Sequence, residues 1–175
     1  MILIFAIILG VICLDQLTKW LAVIFLEGEG SFPLWQDVFH LTFVKNPGAA
    51  FGMLSNSRWV FMVVSTVAIV AVMYYLIKHR PKNKWLVVAL SMIVGGGIGN
   101  MIDRVLLGYV VDFFDFTLIN FAVFNVADSF VCVGAGILVV YLIVDMIHDW
   151  KQSKAPQADN ADGEAGANTD GGDDV

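Results

Sequence analysis

Cysteine and histidine are both scarce in this sequence of 175 residues. The two cysteines, Cys13 and Cys132, each lie inside an apolar stretch, where cysteine usually packs as a small hydrophobic side chain. The three histidines, His40, His79 and His148, are scattered along the chain. This distribution argues against a disulfide framework and against a metal site built from these residue types. We therefore expect neither a metal ion nor another cofactor.

Charged residues make up only 15% of the chain, and the net charge of −6 comes mostly from the C-terminal segment. That segment contains six acidic residues: Asp159, Asp162, Glu164, Asp170, Asp173 and Asp174. Residues 152–175 are rich in Ala, Gly, Asp and Asn and include no aromatic residue, which predicts a disordered acidic tail. We expect no nucleic-acid partner.

Hydrophobic residues are abundant, at 58%, and the mean hydropathy is +0.77. Four apolar runs, 1–26, 59–77, 85–102 and 121–147, are long enough to cross a hydrocarbon core about 30 Å thick, which needs about 20 helical residues. Lipid offers the backbone no hydrogen-bond partners, so each run should be a helix. The predicted fold is an all-α membrane protein of four transmembrane helices.

Basic residues are concentrated in the loop 78–84, which contains four Lys or Arg, whereas 27–58 contains only Lys45 and Arg58. By the positive-inside rule, this loop and both termini are cytoplasmic, and 27–58 and 103–120 face outward. We predict a membrane domain at 1–151 and a cytoplasmic tail at 152–175.

The outward segment between the first two helices shows a β-strand pattern. Residues 38–44 alternate in a way that predicts a strand, and Lys45–Gly48 predicts a turn before the small residues of 49–52. Residues 28–57 therefore form a small β-containing segment. It is either a sheet resting on the membrane surface or a cradle that receives an extended peptide by strand addition.

Polar residues interrupt the apolar runs near their predicted outer ends. Asn125, Asp128 and Ser129 have helical i, i+3, i+4 spacing, and an acid inside a membrane helix costs about 2.5–3.5 kcal/mol, so it indicates a partner or a function. At 1.5 Å per residue, Asp128 and Lys19 both lie roughly 10 Å below the outer boundary. We predict a polar layer in the outer third of the membrane.

Other polar groups belong to the same layer. Asp15 and Lys19 are an acid–base pair at i, i+4 spacing, which either neutralises itself within the bundle or lets Lys19 fix backbone or substrate groups. Gly95 and Gly99 predict close helix packing next to a polar helix end that carries Asn100, Asp103 and Arg104.

Two aspartates that share a proton can hydrolyse a peptide without a metal, one as general base towards water and the other as general acid. Asp128 is one candidate. Its possible partners are Asp15, Asp103, Asp112 and Asp115, and the residue pattern leaves the choice among them open.

Five motifs in order, Asp15–Lys19, Asn46–Gly52, Gly99–Arg104, Gly108–Phe113 and Phe124–Ser129, resemble the bacterial lipoprotein signal peptidases, also called signal peptidase II. The resemblance implies a multi-pass aspartyl endopeptidase of the bacterial plasma membrane with its active site near the outer face. It implies removal of signal peptides from prolipoproteins by cleavage on the amino side of a diacylglyceryl-modified cysteine. The partners would be these prolipoproteins and membrane lipids, and we expect a monomer.

Carried over by motif, the resemblance implies that Asp112 and Asp128 are catalytic. Matching positions that line or support the substrate site are Asn46, Gly48, Asn100, Arg104, Asn125 and Ala127. Structural polar support falls on Asp15, Lys19 and Asp103.

Three alternatives compete with the peptidase. A transporter with an ion relay predicts polar residues across the whole membrane, whereas the predicted inner half lacks them. A presenilin-type protease needs a Gly-x-Gly-Asp motif that is absent from this sequence. A non-catalytic scaffold would tolerate the loss of Asp128.

Overall fold

The structure is a computed structural model that describes residues 1–48 and 58–153. The chain divides into two compact units, 1–142 and 143–175. The described part of the second unit is the end of the last helix, where the side chain of Gln152 contacts the ring of His148. Of the predicted tail, residues 152 and 153 are still helical, and 154–175 lie outside the described residues, as do the small residues 49–52.

Four long helices dominate the described residues: α1 Ile2–Leu26, α2 Arg58–His79, α3 Lys84–Leu106 and α4 Val126–Ser153. Each contains a stretch long and apolar enough to cross a membrane, which confirms the four predicted spans. Large apolar side chains on their outer faces, such as Trp20, Val67 and Val140, are more than half exposed. Such faces suit lipid rather than water.

Two helix boundaries differ from the prediction. α3 continues to Leu106, four residues past the end of its apolar run at 102, so Asp103 and Arg104 lie in its last turns, at the polar helix end predicted from the sequence. α4 begins at Val126, five residues after the start of its apolar run at Phe121. Hydropathy locates an apolar run but does not distinguish helical from extended residues at its ends.

α3 is the central helix, and both α1 and α2 pack against it. Gly95 faces α1, where a Cβ atom would lie 2.9 Å from Cβ of Val11. Gly134 of α4 faces α3, where a Cβ atom would lie 2.8 Å from the carbonyl oxygen of Ala89. The glycines allow close helix contact, as the small-residue spacing on α3 predicted.

A three-stranded antiparallel sheet adjoins the helices, with strands β1 Ser31–Trp35, β2 Phe39–Asn46 and β3 Val110–Asp115 in the order β1-β2-β3. The predicted strand is confirmed as β2, but Lys45 and Asn46 belong to it rather than to a turn. β3 was not predicted and comes from the segment after α3. Its register places Asp112 opposite Val44 and Asp115 opposite His40.

The sheet packs on the helices through an apolar core. Its buried members are Ala22, Leu26, Val111, Phe113 and Val126. This core joins the end of α1, strand β3 and the start of α4, so it positions the polar side chains that these elements carry.

Candidate active site

Lys19 lies at the centre of a buried polar cluster between α1 and α3. Its ammonium nitrogen is 2.9 Å from a carboxylate oxygen of Asp15 and 3.0 Å from one of Asp103. It also donates to the side-chain oxygen of Asn100, at 2.9 Å. All four side chains are buried. Buried charges need compensating partners, and here each one is in place.

Asp15 also binds the start of α4, because its other carboxylate oxygen accepts a hydrogen bond from the backbone N–H of Ala127 at 2.9 Å. Gly99 on α3 leaves room for this arrangement, since a Cβ atom there would lie 2.5 Å from an oxygen of Asp15. Gly96, on the same helix, lies directly against the carbonyl oxygen of Ala127. Small residues therefore bring the helices close enough for one buried carboxylate to join α1 to α4.

Asn125 and Asp128 form the start of α4. The side-chain oxygen of Asn125 accepts from the N–H of Asp128 at 3.0 Å, and the carboxylate of Asp128 accepts from the N–H of Asn125 at 3.2 Å. This reciprocal pair is a capping box, which satisfies N–H groups that a helix start leaves without partners. Asn125 therefore precedes the helix and Asp128 lies in its first turn, so the prediction that Asp128 lies seven residues inside a helix starting at Phe121 is wrong. The predicted proximity of Asn125 and Asp128 is confirmed by these hydrogen bonds.

The residues just before α4 are held against β3 by extended backbone pairing. The N–H of Phe114 donates to the carbonyl of Phe124 at 2.8 Å, and the N–H of Phe124 donates back at 3.1 Å. This pairing keeps the chain extended until Asn125 and places that residue beside Asp112 at the middle of β3.

Asp112 is 1% exposed and accepts hydrogen bonds on both carboxylate oxygens. The side-chain amide of Asn125 donates to one oxygen at 2.6 Å, and that of Asn46 donates to the other at 2.9 Å. Burial raises the pKa of Asp112 to about 6, and the charge of Asp128 adds to this rise against the opposing amide hydrogen bonds. Asp112 therefore keeps its proton closer to neutral pH than an ordinary aspartate does.

Asp112 and Asp128 line the same cavity, whose volume is about 400 Å³. Asp128 also accepts a hydrogen bond from the side-chain amide of Asn100 at 2.7 Å. Much of the remaining wall is apolar and includes Val110, Phe121, Val123, Phe124 and Val131. A concave site with a few converging polar groups on an apolar wall is typical of ligand binding.

Arg104 lines the cavity and connects α3 to the residues after β2. Its guanidinium donates to the backbone carbonyls of Gly48 and Asn100, each at 3.3 Å. It also interacts electrostatically with Asp112 and Asp128. Arginine has five N–H donors, so within the described residues these two bonds leave donors that a ligand could use.

Comparison with known proteins identifies the family. A family model described as signal peptidase (SPase) II matches residues 7–144. The chain belongs to the signal peptidase II family. The lipoprotein signal peptidase of Brevibacillus brevis is 47% identical over 135 residues, which cover 77% of this chain and 91% of that protein. The lipoprotein signal peptidase of Caldanaerobacter subterraneus subsp. tengcongensis is 52% identical over 134 residues, which cover 77% and 90%.

A solved structure of a bacterial membrane enzyme, determined by the in meso method at 2.3 Å resolution, has the same fold. It aligns with a TM-score of 0.77 and 31% sequence identity over 89% of this chain and 94% of its own. The protein is therefore a multi-pass membrane peptidase of the signal peptidase II family, and the family supports removal of signal peptides from lipoproteins.

Four aspartates were candidate partners of Asp128. Their contacts in the structure distinguish Asp112 from the other three. Asp15 and Asp103 bind Lys19, and Asp115 accepts a hydrogen bond from Thr42 at 2.8 Å. Of these candidates, Asp112 is the one that lines the cavity with Asp128.

The predicted substrate-site residues fall into two groups. Asn46, Asn100 and Arg104 line the cavity. Gly48, Asn125 and Ala127 are not among the described residues that line it, and each binds a polar side chain of the site instead. Their contacts are with Asn46, Asp112 and Asp15, respectively.

Sequence reasoning missed Gln16. Its side-chain amide donates to Asp103 at 2.9 Å and to the backbone carbonyl of Gly99 at 3.2 Å, so it braces α1 against α3. Its polarity within the first apolar run, between Asp15 and Lys19, was the available signal. Within residues 1–48 and 58–153, no group of three or more His, Cys, Asp or Glu side chains is arranged to hold a metal ion.

Proposed function

We propose that the protein is an aspartyl endopeptidase that removes the signal peptides of prolipoproteins, with Asp112 and Asp128 as its catalytic pair. The observation that carries the proposal is that two carboxylates from different elements, β3 and α4, line one cavity and are each held by side-chain amides. A pair of this kind can divide general-acid and general-base roles.

The reaction needs one proton on the pair and one water molecule. The ionised aspartate removes a proton from water as its oxygen attacks the scissile carbonyl carbon, while the protonated aspartate donates its proton to the carbonyl oxygen. Collapse of the tetrahedral intermediate breaks the C–N bond and returns a proton to the leaving amine. A pKa of about 6 for Asp112 makes the singly protonated pair abundant at mildly acidic pH and leaves a minor fraction of it at neutral pH.

The cavity wall suits the proposed substrate. Its apolar residues can contact the hydrophobic signal segment, and Arg104 has donors left for a peptide carbonyl. The side-chain amide nitrogen of Asn125 already donates to Asp112 and to Asn100, and its oxygen accepts from Asp128. We assign Asn125 to holding the aspartates rather than to binding substrate directly.

We further propose that the protein lies in the bacterial plasma membrane with both termini in the cytoplasm and the cavity near the outer face. The four Lys and Arg residues of 78–84, which include the end of α2 and the start of α3, support this orientation. The lipid chains of the substrate would then remain in the outer leaflet, with cleavage on the amino side of the diacylglyceryl cysteine. A monomer contains every residue that this mechanism uses.

The test is incubation of the purified full-length protein in a lipid bilayer with a lipidated prolipoprotein, with mass spectrometry of the products. We expect a new N-terminal diacylglyceryl cysteine, and we expect Asp112→Asn and Asp128→Asn each to lower kcat by at least about 10²-fold.

Asp115→Asn is the matched control, because Asp115 lies on the same strand but binds Thr42, and it should retain most of the activity. Full activity of Asp112→Asn would contradict the assignment of Asp112 and Asp128 as the catalytic pair. Substrate binding without cleavage by the wild type would favour a scaffold instead.

A further inference from the structure

The buried ammonium group of Lys19 hydrogen-bonds the side-chain amide of Asn100 and contributes to its orientation. It can only donate hydrogen bonds, and one of its three goes to the side-chain oxygen of Asn100 at 2.9 Å. The amide of Asn100 is thereby oriented with its oxygen towards Lys19 and its NH₂ group towards Asp128, to which it donates at 2.7 Å. An asparagine amide has nearly the same shape in its flipped orientation, so packing alone does not select between the two.

The same oxygen of Asn100 accepts a second hydrogen bond, from the side-chain NH₂ of Asn125 at 3.0 Å. That NH₂ group donates its other hydrogen to Asp112 at 2.6 Å. The amide of Asn100 is thus connected to both aspartates: its NH₂ group donates directly to Asp128, and its oxygen accepts from Asn125, which donates to Asp112. If the amide of Asn100 were flipped, an oxygen would face the carboxylate of Asp128, and two NH₂ groups would face each other.

We propose that Lys19 is a positioning residue for the catalytic pair: through Asn100 it sets the direction of the hydrogen bonds that hold both Asp112 and Asp128 against the cavity. This inference rests on the proposed function of the two aspartates. It goes beyond neutralisation of Asp15 and Asp103, because charge compensation alone does not require the contact with Asn100.

Lys19 also acts on Asp112 through its charge. The charged groups around Asp112 are Asp128 on α4, Asp103 and Arg104 on α3, and Asp15 and Lys19 on α1. On β2, Lys45 is paired with Glu27 at 2.7 Å. The positive charge of Lys19 lowers the pKa of Asp112 against the effect of burial, so its removal should raise that pKa further.

The experiment compares Lys19→Met with Gln16→Met in the full-length protein in bilayers, using the lipidated prolipoprotein assay. Both substitutions remove hydrogen bonds between α1 and α3, but Gln16 does not bind Asn100. We expect Lys19→Met to lower kcat by about 10²-fold with little change in KM, because a misplaced catalytic group can cost that much. Its pH–rate profile should also move to higher pH. Gln16→Met should lower thermal stability while keeping the pH profile of the wild type.

A charge-balanced double variant, Lys19→Met with Asp15→Asn, covers the case in which Lys19→Met does not fold, because Asn can still accept from the N–H of Ala127. It should show the same loss of kcat. The inference is overturned if Lys19→Met folds and has the same kcat and pH profile as Gln16→Met. It is also overturned if neither Lys19 variant folds, since Lys19 is then only structural. Asp112→Asn and Asp128→Asn are assayed alongside, so that failure of this inference can be told from failure of the proposed function. Only cleavage by these two variants would show that Asp112 and Asp128 are not the catalytic pair.

Discussion

Two regions of the helical bundle in residues 1–142 are built on different principles. In one, the side chains of Ile4, Ile8, Leu76, Val87, Leu90 and Val94 form a buried apolar core between α1, α2 and α3. In the other, Asp15, Lys19, Asn100 and Asp103 are held by hydrogen bonds and ion pairs. Apolar contacts are non-directional, so volume decides their strength, whereas each polar contact depends on one donor and one acceptor.

The site adjoins the polar region because polar contacts have fixed directions. Asp112 and Asp128 need fixed directions to share one cavity. The polar region supplies one of them through the amide of Asn100, and the adjoining amides of Asn46 and Asn125 supply the others. An apolar core of the same size would place these carboxylates less specifically and would leave them without compensating donors. The stability of the polar region should therefore depend on individual hydrogen-bonding atoms and on pH, and that of the apolar region on side-chain volume.

The largest effect should come from pH acting on Asp112. Its folded-state pKa is raised from 3.8 to about 6, so the folded state binds the proton more tightly than the unfolded state does. The stability that this provides is complete below pH 4 and is lost as the pH rises through 6, and it amounts to about 3 kcal/mol at most. Asp112→Asn lacks this titration, so the unfolding free energy of the wild type should fall relative to that of the variant between pH 4 and pH 7. Parallel pH curves for the two proteins would contradict this prediction.

A single methyl group in the polar region should have the next largest effect. Gly99→Ala would place Cβ 2.5 Å from the Asp15 oxygen that binds Lys19, and the other oxygen of Asp15 is held by the N–H of Ala127. We expect a loss of about 1–3 kcal/mol in unfolding free energy, together with reduced kcat. Gly136→Ala on α4 is the matched control, because no atom of the described residues lies within 4 Å of its Cβ position, and it should be neutral or slightly stabilising. Equal stability of both variants would show that the polar region tolerates an added methyl group as well as the lipid-facing surface does.

The smallest effect should come from the apolar region. Ile8→Val removes one buried methylene group and should cost about 0.5–1.5 kcal/mol in chemical unfolding. The shape of the pH–rate profile should stay that of the wild type, since no polar partner is lost. A shifted profile in Ile8→Val would show that the two regions are coupled, and the distinction between them would fail.

Much of the fold could be predicted from local composition. The four spans follow from the length of apolar runs, because each lipid-exposed helix satisfies its own backbone. The strand β2 followed from the alternation of its residues. The strand β3 could not be predicted in this way, because Val110–Asp115 acquires its structure by pairing with β2 more than 60 positions earlier in the chain.

The candidate site was predictable to a similar extent. Asp15, Lys19 and Asp128 stand out as charges inside apolar runs, and the motifs around them carry the family resemblance. From the residues alone, the acid that shares a cavity with Asp128 stayed open, and Gln16 was overlooked. The position of Asn125 was mistaken because an apolar run does not show where its helix begins.

The sequence by itself determined that this chain crosses the membrane four times and carries costly polar groups, since hydropathy is a sum over neighbouring residues. Only the tertiary structure decided which of those groups meet. Asp112 reaches Asn125 because Phe124 pairs with Phe114, and Asn100 reaches Asp128 because glycines bring α3 against α1 and α4. Hydrogen bonds need atoms about 3 Å apart, and that distance between remote residues exists only in the folded chain.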